Sequence, residues 1–251
     1  MSLPKSFIPA SMPPEANSSP RTLLVSGASS GIGLAICKRL ISEGHQIIGL
    51  ARNITNSTFA DSSFHAISMD LSDIELLPDQ LKKIQKAFPA IDGLICCAGR
   101  GQFGSLEEFS YAQIRSLMDL NFLSQVYMIR ALLPAIKRIG HGDIIIIGSE
   151  AALSGGRKGA IYCASKFALR GFAQALREEC ARNRIRVTMI NPGMVKTGFF
   201  NELDFAPGDS EENYILPEDI ADAAALVINT RYGTVYDEIN LSPQKKVIQP
   251  R

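Results

Sequence analysis

The chain has 251 residues, of which 46% are hydrophobic, and its formal net charge at pH 7 is +1. This length predicts a single α/β domain that buries about three quarters of its unfolded surface. Basic and acidic residues are interspersed, which argues against a nucleic-acid partner or an anionic membrane surface. Five cysteines without CxxC spacing and three widely separated histidines predict no metal site.

The first 20 residues are rich in proline and serine, and they are predicted to form a flexible extension. The folded domain is therefore expected to span residues 21–251. The extension lacks the continuous apolar stretch of a signal peptide, and no apolar run has the length of a transmembrane helix. We expect a cytoplasmic protein that acts without a membrane.

Apolar segments alternate with amphipathic segments along the rest of the chain. The first is TLLVSG (22–27), and a helical segment that stops at Gly44 follows it. The later strand-like segments are HQIIGLAR (45–52), FHAISMD (64–70), DGLICCAG (92–99), DIIIIGS (143–149), RIRVTMINPG (184–193) and VYDEINLSP (235–243). Continuous Ile, Val and Leu runs indicate strands covered on both faces. The predicted fold is a single-domain, doubly wound, Rossmann-like parallel sheet with helices on both faces.

A glycine-rich turn, SGASSGIG (26–33), separates the first strand from the first helix. Gly27, Gly31 and Gly33 permit a tight turn and a close approach of the backbone to a pyrophosphate. The start of the helix adds N–H groups and the positive end of a dipole. The spacing is GxxxGxG rather than GxGxxG, and a tight connection without a ligand is the alternative. The position between strand and helix favours a dinucleotide site.

Further motifs follow in a fixed order: Ser149, then Tyr162 and Lys166 four residues apart, then Pro192-Gly193. With the glycine turn, they resemble the short-chain dehydrogenase/reductase family over about residues 21–242. Taken alone, Tyr162 and Lys166 fit an ordinary contact on one helix face. The ordered motifs favour a catalytic pair instead.

The resemblance implies hydride transfer between a nicotinamide and a carbonyl or carbinol carbon. It assigns Tyr162 as the general acid or base, Lys166 as its partner, Ser149 as a hydrogen-bond partner of the substrate oxygen, and Asn121 as the holder of a water molecule. A free phenol has a pKa of about 10, and a nearby ammonium is expected to lower it.

The resemblance also implies a set of cofactor contacts. These are Gly27, Ser29, Ser30, Gly31, Ile32, Gly33, Arg52, Asp70, Leu71, Ala98, Gly99, Tyr162, Lys166, Pro192, Gly193, Val195 and Thr197. Asp70 matches the family residue near the adenine amine, and a strand-end turn or helix cap is an equal alternative. The family's Asn-Asn-Ala-Gly is Cys96-Cys97-Ala98-Gly99 here. The bracing that the second asparagine gives the sheet is therefore in doubt.

The choice between NADP(H) and NAD(H) depends on the residue that follows the second strand. An acidic side chain there would accept hydrogen bonds from the ribose and repel a 2′-phosphate. This chain has Ala51 and then Arg52, whose guanidinium suits a phosphate. A solvent-exposed arginine without a ligand is the alternative. We expect NADP(H) to be preferred.

The substrate pocket is predicted to include Gln102, Phe103, Phe199 and Phe200, with Phe205 nearby in the segment that follows Thr197. Acidic residues in that segment argue against an acyl carrier protein. The leading function is an NADP(H)-dependent reductase of a small ketone or aldehyde, reversible as an alcohol dehydrogenase. A 3-ketoacyl-thioester reductase and an inactive dinucleotide-binding sensor or scaffold are the alternatives. By analogy with the family, a homodimer or homotetramer is expected.

Overall fold

The computed structural model describes residues 19–55, 59 and 61–250. The predicted flexible extension, residues 1–20, lies outside the described residues except for its last two positions. The strands are β1 (Thr22–Ser26), β2 (Gln46–Ala51), β3 (Phe64–Ser68), β4 (Ile91–Cys96), β5 (Gly142–Ile147), β6 (Ile185–Pro192), β7 (Phe205–Pro207), β8 (Glu238–Leu241) and β9 (Ile248–Pro250). The α-helices are α1 (Gly31–Ser42), α2 (Leu77–Ala87), α3 (Tyr111–Met118), α4 (Ser124–Ile139), α5 (Ala160–Cys180) and α6 (Pro217–Asn229).

Within the described residues, one sheet contains seven strands in the order β3-β2-β1-β4-β5-β6-β8, and each neighbouring pair is parallel. Strands β7 and β9 pair separately and run antiparallel. The parallel sheet with helices on both faces confirms the predicted Rossmann-like fold. The strand order reverses between β1 and β4, and ligands of such sheets bind in the crevice at the carboxyl ends of the strands around this point.

Both faces of the sheet are buried, because successive strand residues point to opposite sides. In β1, Leu24 packs in the apolar cluster that includes α2, α4 and α5, whereas Leu23 and Val25 pack in the cluster that includes α1 and α6. All three side chains are fully buried. Each such side chain stabilises the fold by about 1.5–3 kcal/mol relative to an exposed position. This two-sided burial explains the uninterrupted apolar runs of the sequence.

A buried ion network joins the amino ends of the central strands. The Arg21 Nε atom lies 2.9 Å from Asp92 Oδ2, and its Nη1 atom binds Asp143 Oδ2. Asp143 also receives two hydrogen bonds from Arg186, at 2.7 and 2.9 Å. Two guanidinium groups thus balance two carboxylates away from water. The network holds β1, β4, β5 and β6 together at the edge opposite the ligand crevice.

Candidate active site

The turn between β1 and α1 lies at the carboxyl edge of the sheet. Gly27 and Gly31 have left-handed backbone conformations, with φ of +70° and +52°, which favour glycine. A Cβ atom at Gly33 would overlap the Gly27 carbonyl oxygen, so only glycine lets α1 begin this close to the turn. The Ser30 side chain, just before α1, makes no capping hydrogen bond in the described structure. The first N–H groups of α1 are therefore suited to an anion.

The bracing of β4 against β1 does not require the family asparagine. The Ser26 hydroxyl oxygen accepts hydrogen bonds from the N–H groups of Cys97 and Ala98, at 3.0 and 3.1 Å. The Cys97 thiol in turn accepts the Gly33 N–H. Burial raises the pKa of Cys97 to about 12, so the thiol stays protonated at neutral pH. Ser26 and Cys97 together tie the glycine turn to the end of β4.

Helix α5 brings three of the predicted catalytic residues together. The Tyr162 phenol lies near the Ser149 side chain, which follows β5 and acts to lower the phenol pKa. Lys166 lies one turn further along α5, and its ammonium is 5.9 Å from the centroid of the Tyr162 ring. The same ammonium donates a hydrogen bond to the Ile147 carbonyl, 3.1 Å away. The tyrosine, serine and lysine therefore meet at the carboxyl end of β5.

The expected lowering of the phenol pKa is not found, and the prediction is wrong for this structure. Burial raises the pKa of Tyr162 to about 12, and the Ser149 side chain opposes this only in part. Burial also lowers the pKa of Lys166 to about 8. Each residue is less than 10% exposed, and low polarity disfavours its charged form. The phenol is thus uncharged at neutral pH.

Asn121 lies in a π-helical turn, Asp119–Leu123, between α3 and α4. Its side chain accepts the Arg100 N–H at 2.9 Å and donates to the Arg100 carbonyl at 3.0 Å. It also donates to the Ser165 hydroxyl at 3.3 Å. A Cβ atom at Gly99 would lie 3.2 Å from Asn121 Oδ1 and 3.8 Å from Lys166 Nζ. Asn121 therefore holds the backbone that follows β4 in place next to Lys166, by hydrogen bonds to protein atoms.

Most of the predicted cofactor residues lie along the carboxyl edge, in or just after the ends of β1, β3, β4 and β6. They include Ser29, Ser30, Ile32, Leu71, Ala98, Gly99, Pro192, Gly193 and Val195. Thr197, in the segment after β6, lies next to the glycine turn: a Cβ atom at Gly31 would be 3.3 Å from Thr197 Cγ2. The segment that follows β6 thus passes directly beside the glycine turn.

Arg52 and Asp70 follow β2 and β3, and both are exposed. Asp70 accepts hydrogen bonds from the N–H and the hydroxyl of Ser72, at 2.9 and 2.7 Å. These bonds, with a smaller effect of the Arg52 charge, lower the pKa of Asp70. Asp70 thus stabilises a turn after β3, which is one of the two roles predicted for it. The charge effect places Arg52 and Asp70 at the same edge of the sheet.

Aromatic rings cover the Tyr162 phenol. The Phe103 ring centroid is 5.0 Å from that of Tyr162, and the Phe199 centroid is 6.1 Å from it. Phe205 stands edge-on to Phe103 at 5.0 Å, and Phe200 packs against Phe199 and Phe205. Of the residues predicted for the pocket, Phe103 and Phe199 contact Tyr162, and Phe200 contacts Phe199. Gln102 is half-buried beside Phe103.

The sequence-based prediction missed several supporting residues. Gln125 is fully buried, and its Nε2 donates to the carbonyl groups of Ala98 and Asn121, both at 3.1 Å. The Ser165 hydroxyl donates to the Tyr162 carbonyl at 2.7 Å and accepts from Asn121. Polar residues inside apolar helix faces were the available signal, because a buried polar group needs a partner.

The sequence profile described as short chain dehydrogenase matches residues 21–206. An uncharacterized oxidoreductase of Staphylococcus epidermidis is 28% identical over 89% of this chain and 97% of its own. Human retinol dehydrogenase 8 is 32% identical over 73% of this chain, and the match spans 62% of the human protein. An alcohol dehydrogenase from the archaeon Thermococcus sibiricus, solved with 5-hydroxy-NADP, is 25% identical and superimposes with a TM-score of 0.81 over 91% of this chain and 99% of its own.

No helix in the described part of the chain is long and apolar enough to cross a bilayer. The profile match covers most of the chain, and it includes the glycine turn, Ser149, Tyr162 and Lys166. The archaeal structure shares the sheet and the helices that position these residues. The protein belongs to the short-chain dehydrogenase/reductase family and is an oxidoreductase of that family.

Proposed function

We propose that the protein is an NADP(H)-dependent oxidoreductase that interconverts a carbonyl compound and its alcohol. The observation that carries the proposal is the position of Lys166 one helical turn from Tyr162, with its ammonium 5.9 Å from the phenol ring and bound to the Ile147 carbonyl, two residues before Ser149. These groups and the glycine turn lie at the same carboxyl edge of the sheet. This juxtaposition supports a proton donor placed beside a bound dinucleotide.

The geometry of the glycine turn supports the binding of a dinucleotide. Because Gly33 has no Cβ atom, α1 begins directly beside the Gly27 carbonyl, and the positive end of the α1 dipole faces the turn without a side-chain cap from Ser30. Gly27, Gly31 and Gly33 would hold the pyrophosphate, and Thr197 would meet the nicotinamide carboxamide. When bound, the nicotinamide supplies or accepts the hydride.

Tyr162 and Ser149 act on the substrate oxygen in this proposal. In the reducing direction, the phenol donates its proton to the carbonyl oxygen as negative charge develops there. The Ser149 hydroxyl donates a hydrogen bond to the same oxygen. A phenol pKa of about 12 keeps Tyr162 protonated at neutral pH, which suits the donor role. Lys166, held by the Ile147 carbonyl, would bind the nicotinamide ribose.

NADP(H) is the proposed cofactor because Arg52 stands where an acidic residue would select NAD(H). Arg52 is exposed at the end of β2. The Asp70 carboxylate, after β3, accepts a hydrogen bond from the Ser72 hydroxyl in a local turn. A guanidinium in this place can bind a 2′-phosphate through two parallel hydrogen bonds. The related archaeal alcohol dehydrogenase was solved with an NADP derivative, which supports the same choice.

We propose that the substrate is apolar next to its carbonyl group. The rings of Phe103 and Phe199 lie against Tyr162, so a carbonyl group that reaches the phenol must pass between apolar surfaces. Aromatic side chains offer large apolar contact surfaces. Human retinol dehydrogenase 8, a relative by sequence, is named for an apolar alcohol, which supports this class.

A cofactor-consumption screen tests the function. The full chain is assayed with NADPH and NADH on a panel of ketones and aldehydes, and with the oxidised cofactors on alcohols. We expect turnover with NADPH, a loss of roughly 10²–10⁴-fold in Tyr162→Phe, and unchanged NADPH binding. Tyr111→Phe is the matched control, because Tyr111 is 93% exposed. Near-normal turnover in Tyr162→Phe would reject the mechanism, and NADPH binding without turnover on any compound would favour a sensor.

A further inference from the structure

One buried side chain joins the start of α4 to the segment that follows β4. Gln125 is the second residue of α4, and its side chain has no exposed surface. Its Nε2 donates one hydrogen bond to the Ala98 carbonyl and another to the Asn121 carbonyl, and each is 3.1 Å long. We call this pair of bonds the Gln125 bridge. It links two segments that are far apart in the chain through a single carboxamide.

The first end of the Gln125 bridge lies in the π-helical turn Asp119–Leu123. Such wide turns are frequent at functional sites. Two carbonyl groups of this turn receive bonds from side chains four residues later. The buried Ser124 hydroxyl donates to Leu120 at 2.6 Å, and Gln125 donates to Asn121. In the described structure the Ser124 side chain bonds only within the turn, whereas that of Gln125 continues to the end of β4.

The second end of the Gln125 bridge leads to the lysine of the site. Ala98 precedes Gly99, where a Cβ atom would lie 3.8 Å from Lys166 Nζ. The residue after Gly99 is Arg100, and the Asn121 side chain bonds to both of its backbone polar groups. Two carboxamides therefore hold the backbone on the two sides of Gly99, directly beside the ammonium.

The packing of Gln125 does not by itself require a polar side chain. Its Oε1 is buried and has no hydrogen-bond partner among the described residues, so the protein uses only the Nε2 end of the group. An unbranched apolar side chain of similar length would fill the same space without burying a polar group. The two Nε2 bonds are thus what the carboxamide adds to this position.

We propose that Gln125 is a positioning residue that sets the separation between Lys166 and the backbone after β4; this rests on the proposed function. Lys166 and the Ala98-Gly99 backbone are both proposed contacts of the cofactor. Their separation therefore decides whether one bound dinucleotide can touch both of them. A small error in this separation would misplace the reacting groups at Tyr162 and slow the reaction.

Two neighbouring substitutions in α4 test the proposal. Gln125→Met removes both bonds of the Gln125 bridge and preserves the length of the side chain. Ser124→Ala is the matched control, because it removes the other buried side-chain bond to the π-helical turn and leaves the link to Ala98 intact. The full chains are titrated with NADPH, which gives the dissociation constant and the number of folded sites. Turnover of the best ketone of the panel is then expressed per site.

We expect Gln125→Met to lower kcat by roughly tenfold and to weaken NADPH binding by roughly threefold, with a smaller change in the KM of the ketone. Ser124→Ala should keep all three values within about twofold of the wild type. Hydrogen exchange is a readout that does not need turnover: the amides of residues 97–100 should exchange faster in Gln125→Met and not in Ser124→Ala. Equal effects of the two substitutions would overturn the proposal.

A conservative substitution gives a second, independent test. Gln125→Glu keeps the shape of the side chain, and burial favours its protonated form, which retains one hydrogen-bond donor. At pH 6, its kcat should lie between those of the wild type and Gln125→Met. A kcat no higher than that of Gln125→Met would show that the donor does not matter, and the proposal would be wrong.

The two proposals fail in different ways. If the wild type turns over no compound and Gln125→Met still weakens NADPH binding and speeds exchange at residues 97–100, the proposed function is wrong and the Gln125 bridge still positions the cofactor site. If the wild type is active and Gln125→Met matches it in kcat, NADPH binding and exchange, the proposed function stands and Gln125 only fills space.

Discussion

The Lys166 ammonium is bound to the Ile147 carbonyl, two residues before Ser149 along the chain. The lysine is thus held by the strand that leads to the serine, on the same helix face as Tyr162. A buried ammonium loses the hydration that stabilises its charge, and the pKa of Lys166 is lowered to about 8 as a result. The charge of this group is therefore pH-dependent in the range where such enzymes are assayed.

The first prediction concerns this titration. With Lys166 protonated below its pKa, kcat/KM for carbonyl reduction should be constant at low pH and fall as the pH rises through about 8. Lys166→Arg should remove the fall, because a guanidinium keeps its charge far above that pH. The pH profile of both proteins measures this. A profile that is flat in the wild type, or unchanged in Lys166→Arg, contradicts it.

Cofactor selection should change when the charge at Arg52 is reversed. Arg52→Asp replaces the phosphate-binding guanidinium with a carboxylate that repels the 2′-phosphate and accepts hydrogen bonds from ribose. We expect the KM for NADPH to rise by roughly 10–100-fold and the KM for NADH to fall. Arg182→Asp, in an exposed turn at the amino edge of β6, is the control. Equal efficiency with both cofactors in the wild type would show that Arg52 does not select.

The glycine turn should not tolerate a methyl group at Gly33. Gly33→Ala forces its Cβ against the Gly27 carbonyl, so the turn must move away from the position that suits a pyrophosphate. We expect NADPH affinity to fall by roughly tenfold or more, because backbone approach to the phosphates is lost. Gly155→Ala is the control, since a Cβ atom there meets nothing within 4 Å. Fluorescence titration with NADPH compares the two, and equal affinities would exclude the turn as the site.

The buried ion network predicts a stability defect without an activity defect. Asp143→Asn leaves the guanidinium groups of Arg21 and Arg186 without half of their counter-charge, which should cost about 3–5 kcal/mol in the free energy of unfolding. Asp222→Asn removes an exposed partner of Arg39 and should cost less than about 1 kcal/mol. Urea denaturation measures both. Turnover per folded molecule should be unchanged, because the network lies at the edge opposite Tyr162.

The sequence was sufficient to predict the parallel sheet and to identify Ser149, Tyr162 and Lys166 as candidate site residues. Apolar runs mark strands buried on both faces, and parallel strands that end in polar residues bring those residues to one edge. The four-residue spacing in α5 then places Tyr162 and Lys166 on one face. The strand positions and the shared helix face depend on residue periodicity and on the order of the elements, and both can be read from the sequence.

The rest depends on distances between segments that are far apart in the chain. The pKa of Tyr162 reflects its burial in the fold, and the sequence does not show which side chains bury it. The Asn121 side chain bonds to the Arg100 backbone, a contact set by the π-helical turn. Strand β9 has three residues and contains proline, so it lacks the length that reveals a strand.

The proposed proton-transfer residues and the phenylalanine rings beside Tyr162 come from different parts of the fold. Ser149 follows the central strand β5 and the Tyr162–Lys166 pair lies on α5, whereas Phe205 lies in β7, which pairs only with β9 in a short two-stranded ribbon. An exchange of residues 199–213 and 245–250 together for those of a homologue should therefore change the rings beside Tyr162 without moving Ser149 or Lys166. Such a graft makes the ribbon a natural boundary for engineering new selectivity into this scaffold.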